Sequence, residues 1–82
     1  MTLPLKVAMV TGAGSGVGKA SALALLEDGY CVTLTGRRIE RLEMTVAEAG
    51  PAASRALVLP ADVGDPEAVR ALFAGTKERF GR

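Results

Sequence analysis

Three short apolar runs, each followed by a stretch with helical spacing, predict an α/β fold built on a parallel sheet. The runs are VAMV at residues 7–10, CVTLT at 31–35 and ALVL at 56–59. A glycine-rich turn joins the first run to its helix, and no internal repeat or linker interrupts the βαβαβα order. That order predicts parallel strands joined by right-handed crossovers with helices on the sheet faces, one half of a doubly wound sheet. At 82 residues the chain is limited to one domain with a modest core.

Each element has a local reason. VAMV is short, apolar and bounded by a glycine loop, as a buried strand is. Residues 17–28 are rich in Ala and Leu, lack Pro, and stop at Gly29, a residue suited to the position after a helix. CVTLT forms the second strand, with Cys31 expected to pack inside the sheet. Between residues 39 and 49, Leu42, Val46 and Ala49 fall on one helical face, and Gly50-Pro51 ends the pattern. Residues 50–54 read as a loop. After ALVL, Asp65-Pro66-Glu67 supplies a cap, a first-turn proline and an acid at the positive helix end. Val69, Leu72, Phe73, Thr76 and Phe80 share one face of this third helix, which runs to Gly81. Within it Gly75 costs about 1 kcal/mol relative to Ala unless packing requires it.

Composition removes several function classes. The chain is 49% hydrophobic with a net charge of +1 and no long run of one sign, so neither a nucleic acid nor a membrane surface is expected as a partner. Its longest apolar stretch, near residues 20–26, is far shorter than the ~18 residues of a spanning helix. No secretory h-region or cleavage site is present, and a cytoplasmic location is expected. Cys31 is the only cysteine and histidine is absent, which excludes an intramolecular disulfide and imidazole acid-base chemistry and argues against a zinc site.

The glycine loop, TGAGSGVGKA at residues 11–20, lies between the first strand and the first helix, where backbone N–H groups and the helix dipole favour an anion. A nucleoside-triphosphate loop of the form G-x-x-x-x-G-K-[ST] matches at Gly18-Lys19 only. Ala13 stands at its first glycine and Ala20 at its magnesium-holding hydroxyl, with Ser21 one residue late. The ordinary dinucleotide fingerprint G-x-G-x-x-G fails as well, because its third glycine falls at Val17.

The spacing that is present is T-G-x-x-x-G-x-G, from Thr11 to Gly18, and with it the chain resembles the short-chain dehydrogenase/reductase family. The resemblance implies a three-layer Rossmann fold in which Gly12 makes the tight turn, Gly16 lets the backbone approach a pyrophosphate and Gly18 packs the helix close to the sheet. Ser15 and Val17 belong to the same cofactor loop. A glycine-rich turn without a ligand is the alternative reading of these residues. Lys19 is expected to be a solvent-facing helix residue and not a ligand.

Two further sites fall where such a half-fold needs them. An acid at the end of the second strand binds the ribose 2′-hydroxyl of NAD, whereas an arginine there accommodates a 2′-phosphate. Here the chain reads Thr35-Gly36-Arg37-Arg38: Gly36 replaces the acid, and Arg37, with Arg38 beside it, offers a guanidinium suited to phosphate. NADP(H) is therefore expected in preference to NAD(H), which stays possible because Ser15 is neutral where many NADP-using members carry a basic residue. The alternative is that both arginines are solvated and pair with Glu40 or Glu43. After the third strand, Asp62-Val63 matches the family pair that contacts adenine. Asp62 is otherwise a helix cap, a role that Asp65 fits better.

The resemblance covers essentially the whole chain, while family members run to about three times this length, as one complete domain does. The Asn-Asn-Ala-Gly motif, the catalytic Ser and the Tyr-x-x-x-Lys pair of the family have no counterpart here. Tyr30, the only tyrosine, is followed four places later by Leu34 and is not catalytic. Family enzymes transfer a hydride between nicotinamide and a carbonyl or alcohol, so these 82 residues alone are expected to be inactive, with a substrate and a homo-oligomer only at full length. The alternatives are a truncated, non-catalytic NADP-binding or interaction module and, with less support, a nucleotide triphosphatase. In the 3-2-1-4-5-6 order the first strand pairs with the fourth, so the 82 residues alone leave an apolar edge prone to self-association.

Overall fold

The computed structural model describes residues 6–81. The elements run β1 (Val7–Thr11), α1 (Gly16–Glu27), β2 (Cys31–Thr35), α2 (Ile39–Glu48), a 3₁₀ helix (Gly50–Arg55), β3 (Ala56–Val58) and α3 (Pro66–Phe80). All strand pairs are parallel and β2 lies between β1 and β3, which is the expected 3-2-1 order. Val7 pairs with Cys31 and Thr11 with Thr35, while Val32 pairs with Ala56 and Leu34 with Val58. Among the described residues β1 pairs with β2 alone.

The core follows from the alternation of side chains along β2, every residue of which is buried. Val32 and Leu34 pack in one layer with Ala22 and Leu26 of α1 and Leu42 of α2. Thr33 projects to the other face, where its hydroxyl meets that of Thr76 in α3 at 2.8 Å. Helices α1 and α2 therefore cover one face and α3 the other. Each fully buried Leu or Val contributes about 2 kcal/mol relative to exposure.

Chain ends of α3 match local chemistry. Asp65 accepts from the Glu67 N–H at 3.0 Å, Pro66 opens the first turn, and Gly81 closes the helix in the left-handed region at φ 76°. Gly75 packs against Leu59, whose Cδ1 would lie 2.8 Å from a Cβ at that position, a contact that the flexible end of Leu59 can relieve by moving.

Three expectations change. Phe73 is 63% exposed, because the buried stripe of α3 is Leu72, Thr76 and Phe80, and Phe73 sits about 100° around the helix from Leu72. Residues 50–54 are not irregular but belong to the 3₁₀ helix, which Arg55 ties to the end of α1 by donating to the Tyr30 and Leu26 carbonyls. Lys19 does not simply face solvent: it is half-buried and ion-paired with Glu48 across α1 and α2.

Candidate functional site

The three strands end along one edge of the sheet, and each end leads into residues that the sequence singles out. β1 feeds the glycine loop, β2 feeds Gly36-Arg37-Arg38, and the segment after β3 carries Asp62-Val63. Backbone hydrogen bonds tie these segments together: the Ala13 N–H donates to the Thr35 carbonyl at 3.1 Å, and the Ala61 N–H to the Gly36 carbonyl at 2.9 Å. Ligands of open α/β sheets bind in the crevice outside this carboxyl edge.

In the loop, Gly12 and Gly16 have φ values of 62° and 57°, a region that side chains rarely adopt. A Cβ at Gly18 would overlap the Gly12 carbonyl oxygen and lie 2.9 Å from that of Thr11, so the first turn of α1 is folded directly against the end of β1. Ser15 occupies the N-cap position without a side-chain capping bond, and the first turn carries no acid. The first-turn N–H groups therefore carry no side-chain cap, and the positive end of the helix dipole has no acid beside it. Val17 is 84% exposed at the same turn.

Between the loop and the start of α2 lies an open cleft of about 320 Å³. It collects Gly12, Ser15, Arg37 and Arg38 of the residues expected from sequence, and adds Gly14, Gly36, Arg41 and Leu42. Three arginines and no acidic residue line it. Gly16, Val17 and Gly18 adjoin the cleft at the start of α1 but do not line it, and neither do Asp62 and Val63. Asp62 is linked to it through Arg37, whose guanidinium is 3.8 Å from the Asp62 carboxylate with both side chains exposed. Arg37 and Arg38 thus make no ion pair with Glu40 or Glu43. The Asp62 carboxylate also accepts from the Gly64 N–H at 2.9 Å, turning the chain ahead of α3, while Asp65 does the capping. Val63 is 53% exposed.

Two contributors escaped the sequence reading. Arg41 is the third residue of α2 and follows the Arg37-Arg38 pair closely in sequence, and that run of basic residues at a helix start was the available signal. Thr45 is fully buried, and its hydroxyl donates to the Ala13 carbonyl at 2.9 Å. Nothing in the local pattern marks Thr45, because the contact joins segments far apart in the chain. The Thr35 hydroxyl, one residue before Gly36, is buried without a hydrogen-bond partner.

Two larger openings are poorer anion sites. One of about 520 Å³ lies between the C-terminal ends of α1 and α2, where Arg55 is already bonded to backbone carbonyls. Another of about 450 Å³ runs along α2 beside Val58 and carries Glu43. Among the described residues no three His, Cys, Asp or Glu side chains gather as a metal site, and no helix is long and apolar enough to cross a membrane.

Comparisons with known proteins agree with this layout. The family model described as short chain dehydrogenase matches residues 6–82. A 3beta-hydroxysteroid dehydrogenase of Mediterraneibacter gnavus is 38% identical over 77 residues, covering 94% of this chain and 28% of its own. A 3-ketoacyl-(acyl-carrier-protein) reductase from Brucella melitensis, solved with NADH, superposes with a TM-score of 0.84 at 34% identity, over 94% of this chain and 30% of that one. An actinorhodin polyketide ketoreductase variant solved with NADPH gives a TM-score of 0.85 at 36% identity, again over 94% of this chain and 30% of the other. The chain spans less than a third of the length of each of these three proteins. With a match that runs through the glycine loop and all three strand ends, the chain belongs to the short-chain dehydrogenase family.

Proposed function

We propose that residues 1–82 form the dinucleotide-binding half of one NAD(P)-binding Rossmann domain, in an enzyme that moves a hydride between nicotinamide and a carbonyl or alcohol. The observation that carries this reading is the glycine loop. Its left-handed backbone disfavours side chains at Gly12 and Gly16, packing leaves no room for one at Gly18, and the helix that follows presents an uncapped, acid-free N-terminus. Those N–H groups suit a pyrophosphate.

In this reading Gly12, Ser15, Gly16, Val17 and Gly18 hold the pyrophosphate, Arg37 and Arg38 hold a ribose phosphate, and Asp62 and Val63 hold the adenine. The basic cleft and the absence of an acid at Gly36 favour NADP(H), with NAD(H) the weaker ligand. When bound, the dinucleotide supplies the hydride donor or acceptor. Tyr30 takes no part: it precedes β2, at the opposite sheet edge from the cleft, with the Lys6 ammonium 5.6 Å above its ring. Proton exchange at the substrate belongs to a Tyr-x-x-x-Lys pair outside these residues. The same reading places the enzyme in the cytoplasm and, at full length, in a homo-oligomer.

Calorimetric titration of the intact protein with NADPH, NADH and magnesium-ATP tests the reading. NADPH is expected to bind most tightly. Magnesium-dependent preference for ATP, or a folded protein that binds neither dinucleotide, overturns it.

A further inference from the structure

We propose that Arg41 is a specificity residue for the phosphomonoester on the cofactor ribose, an assignment that rests on the dinucleotide reading above. Arg41 is the third residue of α2 and lies one turn beyond Arg38, which holds the N-cap position. Cations at the positive end of a helix oppose its dipole, so local helix stability does not account for a basic pair there. A bound dianion reverses that penalty, because it interacts favourably with both guanidinium groups and with the helix end.

The position of Arg41 is built by packing. A Cβ at Gly14 would lie 2.8 Å from the Arg41 Cβ, so the side chain leaves its helix directly over the glycine loop. The backbone beneath it is held as well: the Thr45 hydroxyl lies 3.1 Å from the Arg41 carbonyl and 2.9 Å from that of Ala13. Arg37 and Arg38 precede the helix, whereas Arg41 projects from a regular turn and loses less freedom on binding.

Charge points the same way. Arg37 faces the Asp62 carboxylate at 3.8 Å, while among the described residues Arg41 makes no ion pair, although Glu40 and Glu43 are on its own helix. Arg41 lines a cleft whose walls contain two more arginines and no carboxylate. A phosphomonoester carries a charge of about −1.5 to −2 near neutral pH and presents three acceptor oxygens, which matches such a cluster. A ribose with a free 2′-hydroxyl offers nothing that needs a third guanidinium.

The test compares the intact wild-type protein with Arg41→Gln and Arg41→Lys, each checked for folding by circular dichroism. Probes are NADPH, NADH, 2′-AMP and 5′-AMP, titrated by calorimetry. Arg41→Gln is expected to weaken NADPH and 2′-AMP by about tenfold, the size of one charge-assisted contact, and to change NADH and 5′-AMP by less than about twofold. Arg41→Lys falls between, since it keeps the charge and loses the planar fork. Arg70→Gln, on the exposed side of α3, serves as a control for net charge. Equal losses for both nucleotide classes, or none for NADPH, overturn the assignment of Arg41. A folded wild type that binds neither dinucleotide overturns the dinucleotide reading itself, before any variant is considered.

Discussion

The Thr45 hydroxyl donates to the Ala13 carbonyl at 2.9 Å, joining the middle of α2 to the glycine loop across 32 residues of sequence. Because the Ala13 N–H is taken by the Thr35 carbonyl at 3.1 Å, both polar groups of a fully buried loop residue are satisfied by other elements. Thr45→Val keeps the side-chain shape and removes this donor. It is expected to destabilise the protein by about 1 to 2 kcal/mol, the cost of leaving a buried carbonyl unpaired. Thr45→Ser restores most of that loss, and urea denaturation of the two variants makes the comparison.

Gly18 and Gly16 are expected to respond differently to alanine. At Gly18 the added methyl meets the fixed backbone oxygens of Gly12 and Thr11, so the loop must unfold locally, at a cost of about 3 kcal/mol. At Gly16 the methyl enters open space and the cost is the left-handed backbone conformation alone, about 1 to 2 kcal/mol. Thermal denaturation of the two variants orders them, and equal losses would show that Gly18 does not pack as described.

Gly36→Asp is expected to reverse the cofactor preference. A Cβ there lies 3.4 Å from Leu42 Cδ2, an ordinary contact, so the substitution is tolerated by the fold. The new carboxylate accepts from a ribose hydroxyl and repels a phosphate, so the NADPH to NADH affinity ratio falls by about tenfold or more. Parallel titrations with the two cofactors read that ratio.

The Thr33–Thr76 pair yields an asymmetric prediction. Thr76 has one hydroxyl proton, and it reaches the Leu72 carbonyl at 2.8 Å, so Thr33 is left to donate to Thr76. Thr76→Val therefore strands a buried donor and is expected to cost about 1 to 3 kcal/mol. Thr33→Val removes that donor along with its need and costs less. In the double variant the loss is smaller than the sum of the two singles, which a denaturation cycle measures.

Much of this architecture is legible along the chain because its causes are local. The three strands, the Asp65 cap with Pro66 behind it, and the Gly81 stop each follow from a few adjacent residues. The glycine spacing likewise announces a tight strand-to-helix turn that disfavours side chains. Phe73 was misread because helical periodicity identifies a broad stripe and not its centre, and the centre depends on how α3 sits over Thr33. Residues 50–54 were misread because Gly-Pro signals the end of a helix without saying whether a 3₁₀ turn follows.

The amino-acid sequence by itself determined the βαβαβα order, the parallel sheet and the glycine-rich turn between β1 and α1, since these rest on periodicity, capping and glycine placement within short windows. Tertiary structure alone decided that Arg41 joins Arg37 and Arg38 in one cleft, that Thr45 pins Ala13, and that Arg37 faces Asp62. Each of those relationships depends on the distance between segments that are remote in the chain, and that distance is set by how α2 and the strand ends pack, which no local pattern encodes.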